Sequence, residues 1–169
     1  MRFTSIFITA VLAITSFNLQ AGGHDKEDPN DKSPVTEPGA VIGDAKIIVD
    51  ITDVKVKEGG TMIVTLFKEK KTWLKNKKAL RNKTIKVEEG ANMKVTFDGL
   101  APDADYAIQA LHDANDNGKM DMKFFPIPKP KEGSGFSNGY TPSGFPKYDG
   151  AVIKLEGNLL ETSIKIDGY

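Results

Sequence analysis

One stretch of the 169-residue chain carries most of its candidate chemistry, because oxygen-bearing side chains recur there at alternate positions around a glycine. If the first aspartate is position one, positions one, three, five, six and nine are, in order, Asp113, Asn115, Asn117, Gly118 and Asp121. Calcium prefers about six to eight oxygen ligands, and a chain supplies them by bending tightly around the ion at a glycine. The spacing therefore predicts a calcium-binding loop, in which Lys119 at position seven would contribute its backbone carbonyl oxygen.

The predicted calcium site is incomplete. Position twelve, where a helical calcium loop has a bidentate glutamate, is Phe124. Among the expected ligands only Asp113 and Asp121 bring formal charge, so the dissociation constant should fall in the ~10⁻⁴–10⁻³ M range of extracellular modules. Glu132 or Asp149 could complete the ligand shell from another part of the fold.

The same residues also fit a loop that binds no ion. Asn117-Gly118 is a favoured pair for a tight hairpin turn. The Asp and Asn side chains around it would then accept hydrogen bonds from backbone N–H groups of the loop. The spacing leaves both alternatives open.

Residues that could support catalysis are few. The chain has no cysteine, which excludes disulfides, thiolate metal sites and a cysteine nucleophile. The segment Gly135–Gly139 matches G-x-S-x-G, but that nucleophile motif requires a histidine later in the sequence, and none follows Ser137. A hydrolase that uses His112 with Asp113 or Asp121 is the weakest of the functional hypotheses, and we assign no catalytic residue.

The N-terminus has the features of an export signal. Met1-Arg2 is followed by an apolar run of about 15 residues, shorter than the ~20 needed to span a bilayer. We interpret residues 1–21 as a signal peptide and expect a secreted or periplasmic protein without a membrane span. Residues 22–43 are polar and interrupted by proline, which is typical of a disordered linker, and residues 44–169 form the predicted domain.

In most of residues 44–169 the sequence pattern indicates short strands. Apolar residues alternate with polar ones, or β-branched residues cluster, in seven runs: residues 45–56, 61–67, 84–87, 92–97, 105–111, 150–155 and 160–166. Turn residues separate the runs, and only residues 68–83 look helical. This pattern predicts an all-β protein, an antiparallel β-sandwich of about seven strands with one short helical segment.

The segment 68–83 is strongly basic, with eight Lys or Arg residues against the single acid Glu69. It could bind an anionic polymer or a lipid headgroup. The alternative is a solvated crossover pinned by Trp73 and Leu74, which we favour because one aromatic residue is a poor platform for stacking bases. Since acidic and basic residues both number 23, we predict no nucleic-acid partner.

Several short motifs resemble a known family. They are Gly99-Leu100-Ala101-Pro102, Tyr106-Ala107, the block from His112 to Asp121, and Gly135-Phe136-Ser137-Asn138. Together they resemble the DUF2141 family of bacterial exported proteins of unknown function, from about Ala45 to Tyr169. The resemblance implies a transthyretin-like or immunoglobulin-like Greek-key sandwich. Pro126 and Asp103 stand where the family usually has glycine, so local loop geometry should differ at both positions.

Two functional hypotheses follow for an exported, non-catalytic domain. In the first, calcium in the 113–121 loop orders the Gly/Pro-rich segment 122–148 for contact with a protein or glycan partner. In the second, the segment binds its partner without calcium, through exposed Phe124, Phe125, Phe136, Tyr140, Phe145 and Tyr148. Those rings could instead form a satellite hydrophobic cluster that attaches the segment to the sandwich.

Overall fold

The computed structural model describes residues 39–124 and 129–168. The predicted signal peptide and residues 22–38 of the predicted linker lie outside them. Residues 39–43, which also fall in the predicted linker, are hydrogen-bonded to the domain, since Gly39 N donates to Leu80 O and Ile42 N donates to Gly99 O. By contacts within the chain, the described residues belong to one compact unit.

The described residues form ten strands. In chain order they are β1 (Ala45–Thr52), β2 (Thr61–Phe67), β3 (Arg81–Lys86), β4 (Lys94–Leu100), β5 (Ala104–Asp113), β6 (Met122–Lys123), β7 (Lys129–Pro130), β8 (Ser134–Phe136), β9 (Val152–Leu155) and β10 (Leu159–Lys165). One sheet has the order β10-β1-β4, and a second has the order β3-β2-β5-β8, with β9 also pairing with β5. The all-β sandwich is confirmed, and the seven predicted runs correspond to strands, with β6, β7 and β8 in addition.

The hydrophobic core lies between the two sheets. On β1, Ala45, Ile47, Val49 and Ile51 are buried while the residues between them are more exposed, as expected of a strand with one face toward the core. The longest strand, β5, is buried on both faces along most of its length. Tyr106 and Ile108 face the core, whereas Gln109 and Leu111 are buried on the outer face. This doubly buried strand leads directly into the candidate loop.

One strand pair departs from the antiparallel expectation. β1 pairs antiparallel with β4 but parallel with β10, so that Ile47 lies opposite Leu160 and Ile51 opposite Ile164. A tight hairpin turn imposes antiparallel pairing only on strands that it joins directly. Since β1 and β10 lie at opposite ends of the sandwich sequence, no hairpin constrains their relative direction.

The helical prediction for residues 68–83 is wrong in the type and length of the helix. The segment contains two 3₁₀ turns, Lys70–Thr72 and Asn76–Lys78, and β3 begins at Arg81. Leu74 between the turns has φ +60°, a left-handed conformation that interrupts an α-helix. The α-helix that the described residues contain is α1 (Tyr148–Ala151).

The basic segment is instead a crossover fixed by its tryptophan. The Trp73 indole Nε1 donates to Pro146 O at 3.1 Å. Its ring packs edge-on against Phe67 and Tyr148, with centroid distances of 5.0 and 5.7 Å. Trp73 therefore holds the segment to the domain and is not presented to a ligand.

One side of the sandwich is closed by a close approach of β8 to β10. A Cβ built on Gly135 would lie 2.1 Å from Lys165 O and 2.6 Å from Ile164 Cγ2, so only glycine fits. The contact continues in a bridge between Ser134 and Asp167.

We expect Gly135→Ala to lower the free energy of unfolding by about 2 kcal/mol, because the added methyl overpacks this contact. Gly144→Ala is the matched control, since a Cβ there meets nothing within 4 Å. Urea unfolding monitored by Trp73 fluorescence measures both. Equal midpoints for the two variants would contradict the proposed closure.

Candidate functional site

The candidate loop leaves β5 at Asp113 and reaches β6 at Met122. Its two ends are held by the chain segment that follows β7. His112 N donates to Gly133 O at 2.9 Å, and Lys131 N donates to Asp121 O at 2.9 Å. The loop is therefore closed at its base by backbone hydrogen bonds.

Asp113 organises the interior of the loop. Its side chain is 2% exposed, and its two oxygens accept hydrogen bonds from Asn117 N at 3.0 Å and Gly118 N at 2.6 Å. Hydrogen bonds from backbone N–H groups to a carboxylate are stronger than neutral ones. The chain folds back to make them through positive φ at Asp116 (+56°) and Gly118 (+78°), the second of which suits glycine.

The other three predicted side-chain ligands converge. Asn115 Nδ2 and Asn117 Nδ2 both donate to Asp121 Oδ2, at 2.8 and 3.1 Å. The amide oxygens face the backbone, because Asn115 Oδ1 accepts from Asn117 N and Asn117 Oδ1 accepts from Lys119 N. The two amide donors, with smaller contributions from Lys119 and Lys131, lower the pKa of the Asp121 carboxyl.

Of the two side chains predicted to complete the site, Glu132 lies at the loop and Asp149 does not. Glu132 is 6% exposed and accepts from Ala114 N at 3.2 Å and Asp121 N at 2.9 Å, so it joins the two ends of the loop. Asp149 lies in α1 and pairs with Lys70 at 2.6 Å. The strand that follows α1 meets β5 at Ala107, about 20 Å along β5 from the loop at ~3.4 Å per residue.

Two further residues hold the loop, and sequence reasoning missed both. Thr61 Oγ1 donates to Asp116 Oδ1 at 2.6 Å, and Lys86 Nζ lies 2.8 Å from Asp116 Oδ2. Lys86 first and Thr61 second lower the pKa of the Asp116 carboxyl. They are 30 and 55 residues away in sequence, so no local spacing could have identified them.

The His112 ring is held by the backbone of the turn between β1 and β2. It is fully buried, and its Nε2 lies 2.7 Å from Gly59 O. Successive residues of a strand point to opposite faces, so His112 and Asp113 diverge. Ser137 is also fully buried, where it accepts from Ile108 N and donates to Ala151 O, which is a structural role.

Acidic and histidine side chains alone do not make a metal site here. In the part of the chain that the structure describes, no group of three or more His, Cys, Asp or Glu residues is placed to hold a metal. The donor set at the loop is two aspartates and two amides, with backbone carbonyls beside them. An ion bound there would depend on amide and backbone oxygens.

The aromatic residues of segment 122–148 divide into buried and exposed groups. Phe136 and Tyr148 are 5% and 9% exposed and belong to a second hydrophobic cluster, against which Tyr140 and Trp73 also pack. Tyr148 donates to Lys68 O at 2.8 Å, and burial raises its pKa to about 12. The predicted surface of six aromatics is wrong for Phe136 and Tyr148, which form the satellite cluster instead. Phe124 and Phe145 are exposed, and Phe125 lies outside the described residues.

The comparisons give a family but no function. A family model described as "Uncharacterized protein conserved in bacteria (DUF2141)" matches residues 49–163. The chain belongs to the DUF2141 family. The DUF2141 match includes the candidate loop and Glu132, so both lie within the family domain.

No curated protein and no solved structure matches the chain. Within the ranges 39–124 and 129–168, no helix is long and apolar enough to cross a membrane.

The close approach of the β1–β2 turn to the loop gives a test of the loop's geometry. A Cβ on Gly60 would lie 2.2 Å from Asp113 O, whereas one on Gly59 meets nothing within 4 Å. Both glycines have positive φ, and Gly59 with ψ −145° lies in a region essentially restricted to glycine, so each Ala variant should lose about 1–3 kcal/mol through backbone strain. Gly60→Ala should lose about 2 kcal/mol more and increase hydrogen exchange at Gly118 N. Equal losses would contradict the described contact.

The loop should also weaken at acid pH. The folded pKa values of Asp116 and Asp121 lie below their unfolded values, so their stabilisation is present above about pH 4. It is lost as pH falls through the folded values. We expect the melting temperature of the unmodified chain to fall more between pH 5 and pH 2.5 than that of Asp116→Asn/Asp121→Asn. The other carboxyl groups are present in both proteins and serve as an internal control. An equal fall in melting temperature for the two proteins would contradict the prediction.

Proposed function

We propose that this DUF2141 protein is an exported, non-catalytic β-sandwich module whose 113–121 loop binds calcium with low affinity. The observation that carries the proposal is the convergence of four oxygen-bearing side chains on one loop. These side chains are Asp113, Asn115, Asn117 and Asp121. Export is supported by the apolar sequence near the N-terminus.

Each of these side chains keeps an oxygen lone pair for a cation. An amide oxygen has two lone pairs, and those of Asn115 and Asn117 each accept one backbone N–H group. The two oxygens of Asp113 also accept one each. Asp121 Oδ1 accepts none from the described residues, while Oδ2 accepts two amide N–H groups. Calcium would therefore displace amide donors at Asp121 and leave the backbone hydrogen bonds of the loop in place.

The donor set favours a hard cation and predicts weak binding. All candidate ligands are oxygens, which suits calcium and disfavours metals that prefer imidazole or thiolate. Two carboxylates provide less charge than a high-affinity loop, and Lys119 and Lys131 lie close enough to Asp121 to influence its pKa. Glu132 is engaged with two backbone N–H groups, so it holds the loop ends, and water and the Lys119 carbonyl complete the shell.

Calcium would act on the segment that follows the loop. The Asp121 ligand lies next to β6, and its backbone is bonded to Lys131 and Glu132 beyond β7. An ion that holds Asp121 in place would therefore also restrain the residues before β6 and after β7. The proposed role of the ion is to order this part of the domain for contact with a partner.

Melting in calcium and in chelator tests the proposal. With a dissociation constant of ~0.5 mM, about 5 mM calcium should stabilise the fold by roughly 1.4 kcal/mol and raise the melting temperature by about 5 °C. Asp121→Asn should abolish the shift. Asp116→Asn, in the same loop at a non-ligand position, should lower the baseline but retain the shift. An unmodified chain that melts at the same temperature in calcium and EDTA would overturn the proposal.

A further inference from the structure

The second sheet of the sandwich ends in a free edge at β3. Its strand order is β3-β2-β5-β8, so β3 has a neighbouring strand on one side. It pairs with β2 in an unbroken antiparallel register, from Arg81 opposite Leu66 to Lys86 opposite Thr61. No residue in the described ranges pairs with its other side. An exposed strand edge carries unpaired N–H and C=O groups, which makes it a template for another strand.

The register identifies the backbone groups at this edge. Val87 N, just beyond β3, donates to Gly60 O at 3.0 Å, so Gly60 and Val87 form a hydrogen-bonded pair. Hydrogen-bonded and non-hydrogen-bonded pairs alternate in an antiparallel ladder, and a residue of a non-hydrogen-bonded pair directs its N–H and C=O away from its partner. The residues of β3 with outward backbone groups are therefore Asn82, Thr84 and Lys86.

The neighbouring ladder gives the same assignment. His112 N donates to Gly133 O on the β8 side of β5, so even-numbered residues of β5 point their backbone groups toward β8. Odd-numbered residues of β5 therefore bond to odd-numbered residues of β2, such as Leu111 to Ile63. The even-numbered residues of β2 are left to bond to β3, and their partners there are odd-numbered. The even positions of β3 face outward on both counts.

Cations surround the free edge. Residues 70–87 include eight Lys or Arg and no Asp or Glu. Asn82 Nδ2 donates to Asn76 O at 3.1 Å, which holds the 3₁₀ turn that begins at Asn76 beside β3. At the end of the strand, Lys86 is paired with Asp116. The exposed cations that form no ion pair within the described ranges are Lys77, Lys78 and Lys83. The edge therefore attracts negative charge.

The chemistry of the edge favours an acidic strand over other partners. A second copy of the chain would place the lysines of one β3 against those of another, and like charges opposite each other destabilise a strand pair. None of the exposed large apolar side chains belongs to residues 70–87, so the edge has nothing to insert into lipid. An anionic polysaccharide supplies charge but no N–H and C=O groups at the strand spacing. An extended acidic polypeptide supplies both.

We propose that β3 binds an extended acidic segment of a partner protein by strand addition. The backbone of the partner pairs with Asn82, Thr84 and Lys86, and its carboxylates lie opposite Lys83. In this mode of recognition main-chain hydrogen bonds supply affinity and side chains supply specificity. The contact does not use calcium, so its test is performed in chelator, and its failure leaves the calcium proposal standing.

Two synthetic peptides separate strand addition from attraction by charge alone. The probe is acetyl-Glu-Val-Glu-Val-Glu-Val-amide, and its matched control carries an N-methyl group at every residue, which keeps the charge and removes the backbone donors. Fluorescence anisotropy of labelled peptides with the full chain in EDTA should show binding of the probe and an affinity roughly tenfold lower or less for the control. Equal binding of both peptides, or no binding of either, would overturn the proposal.

A proline at position 84 tests the edge and leaves the β2 pairing in place. Thr84 N faces outward and makes no bond to β2, and proline is tolerated on an edge strand where the N–H group faces solvent. Thr84→Val, which keeps the N–H group, is the matched control. The affinity for the probe should fall roughly tenfold for Thr84→Pro and stay unchanged for Thr84→Val, with thermal melting to verify that both variants fold. Unchanged affinity in a folded proline variant would overturn the proposal.

Charge reversal tests the lysine at the edge. Lys83→Glu turns an attractive cross-strand pair into a repulsive one and should weaken binding of the probe roughly fivefold or more. Lys46→Glu, at an exposed lysine of β1 in the other sheet, is the matched control and should have little effect. Equal losses for the two variants would mean that binding follows the net charge of the chain, and the proposal of strand addition at β3 would be wrong.

Discussion

Two buried carboxylates, Asp113 and Glu132, hold the candidate site together. A buried carboxylate is costly unless it is hydrogen-bonded or paired with a cation, and each of these accepts two backbone N–H groups. Asp113 accepts hydrogen bonds from backbone N–H groups inside the loop, and Glu132 joins the two ends of the loop. The loop conformation and the burial of the two charges therefore depend on each other, since the backbone donors would otherwise be unsatisfied as well.

This arrangement makes the loop preorganised. The hydrogen bonds that fix its backbone come from protein groups, so an ion would not have to fold the loop before binding. Asp116 extends the constraint to the sandwich, because it joins the loop to Thr61 on β2 and Lys86 on β3. These contacts act on a loop of nine residues that contains one glycine and two asparagines, residue types that tolerate several backbone conformations. The weak calcium affinity that we propose would then follow from the small number of charged ligands.

Sequence reasoning succeeded where the relevant information is local. Alternation on β1 and β4 identified strands with one buried face, and the convergence of Asn115, Asn117 and Asp121 followed from spacing within nine residues. It failed where the structure depends on contacts between residues that are far apart in the sequence. The partners of Asp116 and the parallel pairing of β1 with β10 join segments far apart in the chain. Glu132 was expected at the loop as a ligand, whereas the structure shows it joining the loop ends through backbone N–H groups. The helix expected around Leu74 failed because a run of lysines has high helical propensity but too little apolar surface to pack.

The formal net charge of zero conceals a local separation of charge between the candidate loop and the lysines that follow it. The acidic groups of the loop turn toward its own amides and backbone, as Asp113 and Asp121 do. The lysines that follow, among them Lys123 and Lys129, remain exposed on β6 and β7. Because screening in physiological salt limits such fields to about 8 Å, the acidic loop and the exposed lysines create separate local fields. The net charge of the whole chain does not show these local differences, so the electrostatic character of this domain depends on where the fold places the acidic groups of the loop and the lysines of β6 and β7.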